Sequence, residues 1–223
     1  MTRILSRTAR YAVYAVPGLR AEDGPAAARL RELGEAALSQ TNGARRYGWH
    51  ATLKAPFRLA DGVDPEHLDE AVEIFAASHC PTVIPTIALR SIGRFWAIVP
   101  GGPTAALMAL ADDTVRKLDP WRADLGPDDL ARRKPELLSS RQRELLELWG
   151  YPFVLDEFRF HCTLTDDLDG LDFEASGTRL AQEFAEVLGA DIPVSALALC
   201  AEREPGGTFE LVSLHPLIAK DNR

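Results

Sequence analysis

The run Tyr11-Ala12-Val13-Tyr14-Ala15-Val16, closed by Pro17-Gly18, is made of residues that favour extended backbone and predicts a first strand with Arg10 and Tyr14 on one face. Pro25 then opens a helix through about Ser39, with Leu30, Leu33, Ala37 and Leu38 at helical spacing. A second helix starts at Asp64-Pro65 and carries Leu68, Val72, Phe75 and Ala76 on one stripe to about Ser78. Thr82 to Ile98 predicts two strands broken at 91–94. Pro103 through Leu118 predicts a third helix that buries Leu107, Leu110, Ala111, Val115 and Leu118. Further on, Phe173 to Leu188 has helical spacing, and Ile192 to Glu202 with Thr208 to Leu214 makes a hairpin around Pro205-Gly206-Gly207. The order of strand, helix and strands repeats loosely. That repetition predicts an α+β fold of two pseudo-symmetric lobes of mainly antiparallel sheet flanked by helices, with a central cleft, within a single bilobal domain spanning 1–223.

Two segments share a pattern that the others lack. Trp49-His50-Ala51-Thr52-Leu53-Lys54 and Phe160-His161-Cys162-Thr163-Leu164-Thr165 each read bulky apolar, His, small, Thr, Leu. A strand sends alternate side chains to opposite faces. His50, Thr52 and Lys54 are therefore expected on one face, and Arg159, His161, Thr163 and Thr165 on one face of the second strand. The first strand is expected to stop at Pro56, which cannot donate to a sheet ladder. Of the five histidines, two sit in this context, whereas His67 and His79 fall on the second helix or at its end and are expected to face solvent.

The segment 120–151 breaks the alternation. It carries Asp128-Asp129, Arg132-Arg133-Lys134, Arg141 and Arg143 among short apolar patches, and predicts a helical insertion, either a surface elaboration or a lid that brings Arg132, Arg133 and Arg141 over the cleft.

Composition narrows the partners. At 223 residues and 46% hydrophobic the chain can bury a substantial core. The formal net charge of −8 argues against a broad grip on nucleic acid, which depends on many cations meeting phosphates. A small anionic ligand needs only a few local cations, and Arg45, Arg46, Lys54 and Arg159 are candidates. Cys80, Cys162 and Cys200 have no Cys-x-x-Cys spacing and are odd in number, which fits neither a disulfide framework nor a zinc ribbon and points to the cytoplasm. The apolar run after the basic first residues is too short for a signal peptide, and no stretch approaches the ~20 apolar residues of a membrane span. Two histidines on separate strands fall short of the three protein ligands of a catalytic zinc site, so neither metal nor cofactor is expected.

The paired His-x-Thr strands resemble those of the two-histidine (2H) phosphoesterase superfamily. The wider wording, Arg45-Arg46-Tyr47-Gly48-Trp49-His50-Ala51-Thr52-Leu53-Lys54-Ala55-Pro56-Phe57 with Trp149-Gly150-Tyr151-Pro152, is similar to a bacterial branch labelled as phosphonate-metabolism proteins. The resemblance implies a metal-independent cyclic phosphodiesterase in which His50 and His161 exchange protons and Thr52 and Thr163 hold the phosphate. Its substrate is expected to be a small phosphorylated metabolite such as a ribosyl cyclic phosphate. Tyr14, on a strand that borders the cleft in such folds, joins Arg46, Lys54 and Arg159 as candidate substrate-binding residues. Should the Arg159 charge project into the cleft, it would favour neutral His161 and hence His161 as the base. The alternatives are an RNA 2′,3′-cyclic phosphodiesterase or ligase-like enzyme and a phosphate-binding module without turnover.

Overall fold

The computed structural model describes residues 10–218, so the basic first nine residues lie outside it. Among the described residues there are nine strands: β1 (Arg10–Ala15), β2 (Ala51–Arg58), β3 (Thr82–Ile84), β4 (Ala88–Ile92), β5 (Phe95–Val99), β6 (Cys162–Thr163), β7 (Ile192–Val194), β8 (Ala196–Glu202) and β9 (Phe209–Pro216). Six α-helices join them: α1 (Gly24–Ser39), α2 (Pro65–Ala77), α3 (Ala105–Lys117), α4 (Pro127–Arg132), α5 (Ser140–Trp149) and α6 (Gly170–Glu183). The fold is α+β. Seven strands form one antiparallel sheet in the order β4-β5-β6-β2-β1-β8-β9, and β3 pairs separately with β7. The segment 82–98 thus makes three strands where the sequence suggested two. Thr82–Ile84 is drawn off to Ile192–Val194, a pairing that local alternation does not encode. Among the described residues no helix is long and apolar enough to cross a membrane.

The halves of the large sheet meet at β2 and β6, which begin directly after His50 and His161 rather than containing them, and their one paired rung is Ala51 with Cys162. Antiparallel register carried one residue to either side sets His50 opposite Thr163 and Thr52 opposite His161. The small residues at the rung, 1% and 0% exposed, let the two backbones approach while the core fills in behind them.

Each half backs its strands with a helix that makes room for a tryptophan. A Cβ on Gly34 of α1 would lie 2.3 Å from the Trp49 ring, and one on Gly177 of α6 would lie 2.3 Å from the Trp96 ring. The indole Nε1 of Trp49 donates to the Pro17 carbonyl at 3.1 Å and that of Trp96 to the Phe173 carbonyl at 3.0 Å. Gly34→Ala and Gly177→Ala gain helix propensity of about 1 kcal/mol but force apart a packed indole, an overpacking cost of about 1–3 kcal/mol. Urea unfolding is expected to show both variants less stable than wild type; a rise in midpoint for either would refute the close-approach account.

Two expectations about β2 fail for one reason. Tyr14 pairs with Thr52, Val13 with Lys54 and Tyr11 with Phe57, so the register slips twice and β2 carries bulges. Extra residues bend a strand and break its two-residue alternation. The first bulge turns Lys54 away from the face of His50 and Thr52. The second leaves Pro56 outside the paired positions, and β6 is too short to need its missing N–H, so the strand runs on to Arg58.

Candidate active site

Both candidate histidines are fixed in the same way. His50 Nδ1 lies 2.9 Å from the Gly48 carbonyl, and His161 Nδ1 lies 2.7 Å from the Arg159 carbonyl, each two residues back along the chain. A carbonyl only accepts, so Nδ1 carries the proton in each neutral ring and Nε2 is left with its lone pair. On His50 that lone pair faces the Thr52 hydroxyl, which donates to it at 3.0 Å.

The surrounding space forms two adjoining cavities. One, of about 380 Å³, is lined by His50, Thr52, Thr163 and Tyr14; the other, of about 450 Å³, is lined by His161, Arg159 and Thr52. Thr52, Ala55, Phe95 and Tyr151 line both. The imidazoles are close enough for the His161 charge to oppose that of His50. Burial chiefly, offset by the Gly48 hydrogen bond and aided by His161, lowers the His50 pKa to about 4. His161 is also lowered by burial, against the Arg159 carbonyl, which raises it. Arg159 thus acts on His161 through its backbone, contrary to the expectation from its guanidinium, and the stronger depression falls on His50. Both rings keep aromatic company: Tyr14 lies 3.9 Å from His50, centroid to centroid, and Phe95 lies 5.7 Å from His161.

Of the expected substrate-binding residues, Tyr14 and Arg159 line the cavities. Lys54 does not. Turned by the bulge, it is 3% exposed, with Nζ donating to Asp119 at 3.1 Å and to the Val115 carbonyl at 3.3 Å. Its pKa falls to about 8 because burial outweighs Asp119. Arg46 also stays out of the cavities: its guanidinium pairs with Glu202 and lies 5.1 Å from the Tyr47 ring centroid. It props Tyr47, which does line the His50 cavity.

The segment 120–151 forms short helices, as its composition predicts, and contributes unequally to the cavities. Arg132 pairs with Asp129, and Arg141 pairs with Asp156 and Glu144 at the surface. Arg133 lines the His50 cavity, with its guanidinium 4.7 Å from the Tyr151 ring centroid. Tyr151 follows α5, which a Ser139–Gln142 capping box starts and Gly150 ends. Sequence reasoning missed Arg10, Tyr47 and Tyr151 as cavity residues, although Tyr47 and Tyr151 stand inside the stretches that carried the resemblance. Asp166, also in the lining, ties the halves together by accepting from the backbone N–H groups of Asn42, Gly43 and Ala44 at 2.6, 3.1 and 2.8 Å.

These features define a two-histidine site of mirrored His-x-Thr units facing adjoining cavities across one rung of an antiparallel sheet. The chain belongs to the family described as Protein of unknown function (DUF1045), whose model matches residues 52–210. Two curated relatives are both named Ribose 1,5-bisphosphate phosphokinase PhnN. The one from Janthinobacterium sp. (strain Marseille) is 39% identical over 175 residues, covering 77% of this chain and 39% of the relative. The one from Laribacter hongkongensis (strain HLHK9) is 33% identical over 226 residues, covering 92% of this chain and 51% of the relative. The chain therefore spans about half, or less, of the length of these relatives. Among solved structures, E. coli LigT complexed with phosphate is 14% identical with a TM-score of 0.44, covering 95% of this chain and 98% of that one.

Proposed function

We propose that this chain is a metal-independent cyclic phosphodiesterase that opens a cyclic phosphate on a small phosphorylated sugar. The observation that carries the reading is the mirrored pair of Nδ1–carbonyl hydrogen bonds, which leaves both Nε2 atoms available for proton transfer. In this mechanism His50, the more strongly depressed imidazole, is the base. Its Nε2 takes a proton from water as the water oxygen attacks phosphorus. The P–O bond to one sugar oxygen breaks, and protonated His161 delivers its Nε2 proton to that oxygen, leaving a phosphate monoester and a hydroxyl. Thr52 and Thr163 hold the non-bridging oxygens as charge grows on them.

The relatives' name supports a sugar substrate. A 1,2-cyclic phosphate of ribose 5-phosphate, opened at the P–O2 bond, yields a ribose 1,5-bisphosphate, the compound in that name. The test is a panel of ribose cyclic phosphates, nucleoside 2′,3′-cyclic phosphates and cyclic-ended RNA oligomers, each incubated with EDTA-treated protein and followed by ³¹P NMR. Opening of the ribose cyclic phosphates is expected. Turnover of the RNA ends alone would assign the second enzyme reading, binding without turnover the non-catalytic one, and loss with EDTA that zinc restores would sink the metal-independent mechanism.

The pH dependence follows from the two shifts. The base must be neutral, so kcat/KM falls as pH drops through about 4, the value to which burial brings His50. The acid must be charged, and His161 is lowered from 6.5, so kcat/KM also falls as pH rises through a value below 6.5. Because kcat/KM reports the free enzyme, its optimum is expected on the acid side of neutrality; the kcat optimum lies higher, since a bound anion raises both imidazoles. A kcat/KM still climbing between pH 7 and 8 would overturn the assignment.

A further inference from the structure

The His50 cavity holds more unpartnered donors than a cyclic phosphate needs. The Tyr14 hydroxyl is buried, its residue 1% exposed, and has no hydrogen-bond partner. The hydroxyls of Tyr47 and Tyr151 and the guanidinium of Arg133 likewise make no hydrogen bond or salt bridge to any described residue. All four side chains line this one cavity, as does Arg10. The other cations nearby are engaged: Arg10 and Arg46 share Glu202, and Arg122 and Lys54 share Asp119. Arg133 is different. Its guanidinium is half-buried against Tyr151 and makes no salt bridge to a described carboxylate, and a desolvated charge without a counter-charge is costly.

We propose that Arg133 and the hydroxyls of Tyr14, Tyr47 and Tyr151 form a second anion subsite that takes a phosphate monoester carried by the substrate in addition to its reacting diester. Three phenol O–H groups and a planar guanidinium are all donors, and a phosphate dianion is an acceptor on every oxygen, so the match needs no further group. Burial raises the Tyr14 and Tyr151 phenols above their ordinary value, which keeps them protonated and donating. Burial and the neighbouring Arg10 and Arg132 charges weigh against the Arg133 charge, a strain that an anion would relieve.

The subsite deepens the proposed reaction and rests on it for the diester, but its anion-binding part can be tested without turnover. Calorimetry would compare ribose 5-phosphate with ribose on the wild-type chain, Arg133→Met, Arg133→Lys and Tyr151→Phe, with thermal melts confirming that each variant is folded. Wild type is expected to bind ribose 5-phosphate well above ribose. Arg133→Met should lose about 10–100-fold of that affinity, while Arg133→Lys, which keeps the charge without the fork, should fall between. In a parallel kinetic arm, Arg133→Met should raise KM far more for a cyclic phosphate bearing a second phosphate than for one without it. If ribose 5-phosphate binds no better than ribose, or Arg133→Met binds it as wild type does, the subsite is wrong. If that binding is lost in Arg133→Met but no cyclic phosphate is opened by any form, the subsite stands and the phosphodiesterase reading fails.

Discussion

Alanine at His50 or at His161 is expected to lower kcat on the opened cyclic phosphate by about 10²–10⁴-fold, the usual worth of one positioned acid or base. Each ring is held by a hydrogen bond to a carbonyl two residues away, with the Thr52 hydroxyl also on His50, and none of these bonds belongs to the sheet ladder, so removal of a ring leaves the sheet and core in place. Circular dichroism should match wild type. The double variant should be little worse than either single one, because a proton relay missing one member gains little from the other. Single-turnover rates followed by ³¹P NMR decide the matter. A His50 or His161 variant within tenfold of wild type would remove that residue from the mechanism.

The second large effect belongs to the threonines. Thr52→Val and Thr163→Val keep the shape of the side chain and delete the donor. Loss of one donor to the charge of the transition state costs about 10²–10³ in kcat. KM should change little, because the bond strengthens as charge develops rather than on binding. The two are not equivalent. The Thr52 hydroxyl donates to His50 Nε2 in the unliganded site and lines both cavities, so it must exchange that bond for a phosphate oxygen. Thr163 makes no such bond among the described residues and is already available. A rise in KM with kcat intact for both variants would make these hydroxyls binding groups and refute their transition-state role.

Much of this arrangement was legible in the sequence because it depends on local rules. Period-two alternation sorted His50 from Ala51 and Thr52 from Leu53, and helical spacing with Pro25 and Pro65 at the starts located α1 and α2. The misses share a cause. Lys54 was assigned to the histidine face because alternation was carried past a bulge, and a bulge is set by the pairing with β1, not by the residues of β2 alone. Only two residues of the second histidine segment are in a strand, where eight in a row alternate in sequence, since β6 has partners only at Ala51, Ala97 and Ile98. Arg133 looked like its neighbours Arg132 and Arg141. What separates it is that, among the described residues, it pairs with no carboxylate and lies instead against Tyr151, which the turn after α5 places there.

The single rung between Ala51 and Cys162 also makes the protein its own gauge of separation between its halves. Cys162 sits at the seam, 0% exposed, with burial raising its thiol pKa and so disfavouring the thiolate that reacts, whereas Cys80 is exposed just past the end of α2. A thiol reagent therefore modifies Cys80 at once and reaches Cys162 only when the seam parts. With Cys200→Ala in place, the slow phase of modification becomes a clock for the opening of the sheet where β2 meets β6, and its lengthening by a bound sugar phosphate would measure how firmly a ligand clamps the two histidines together.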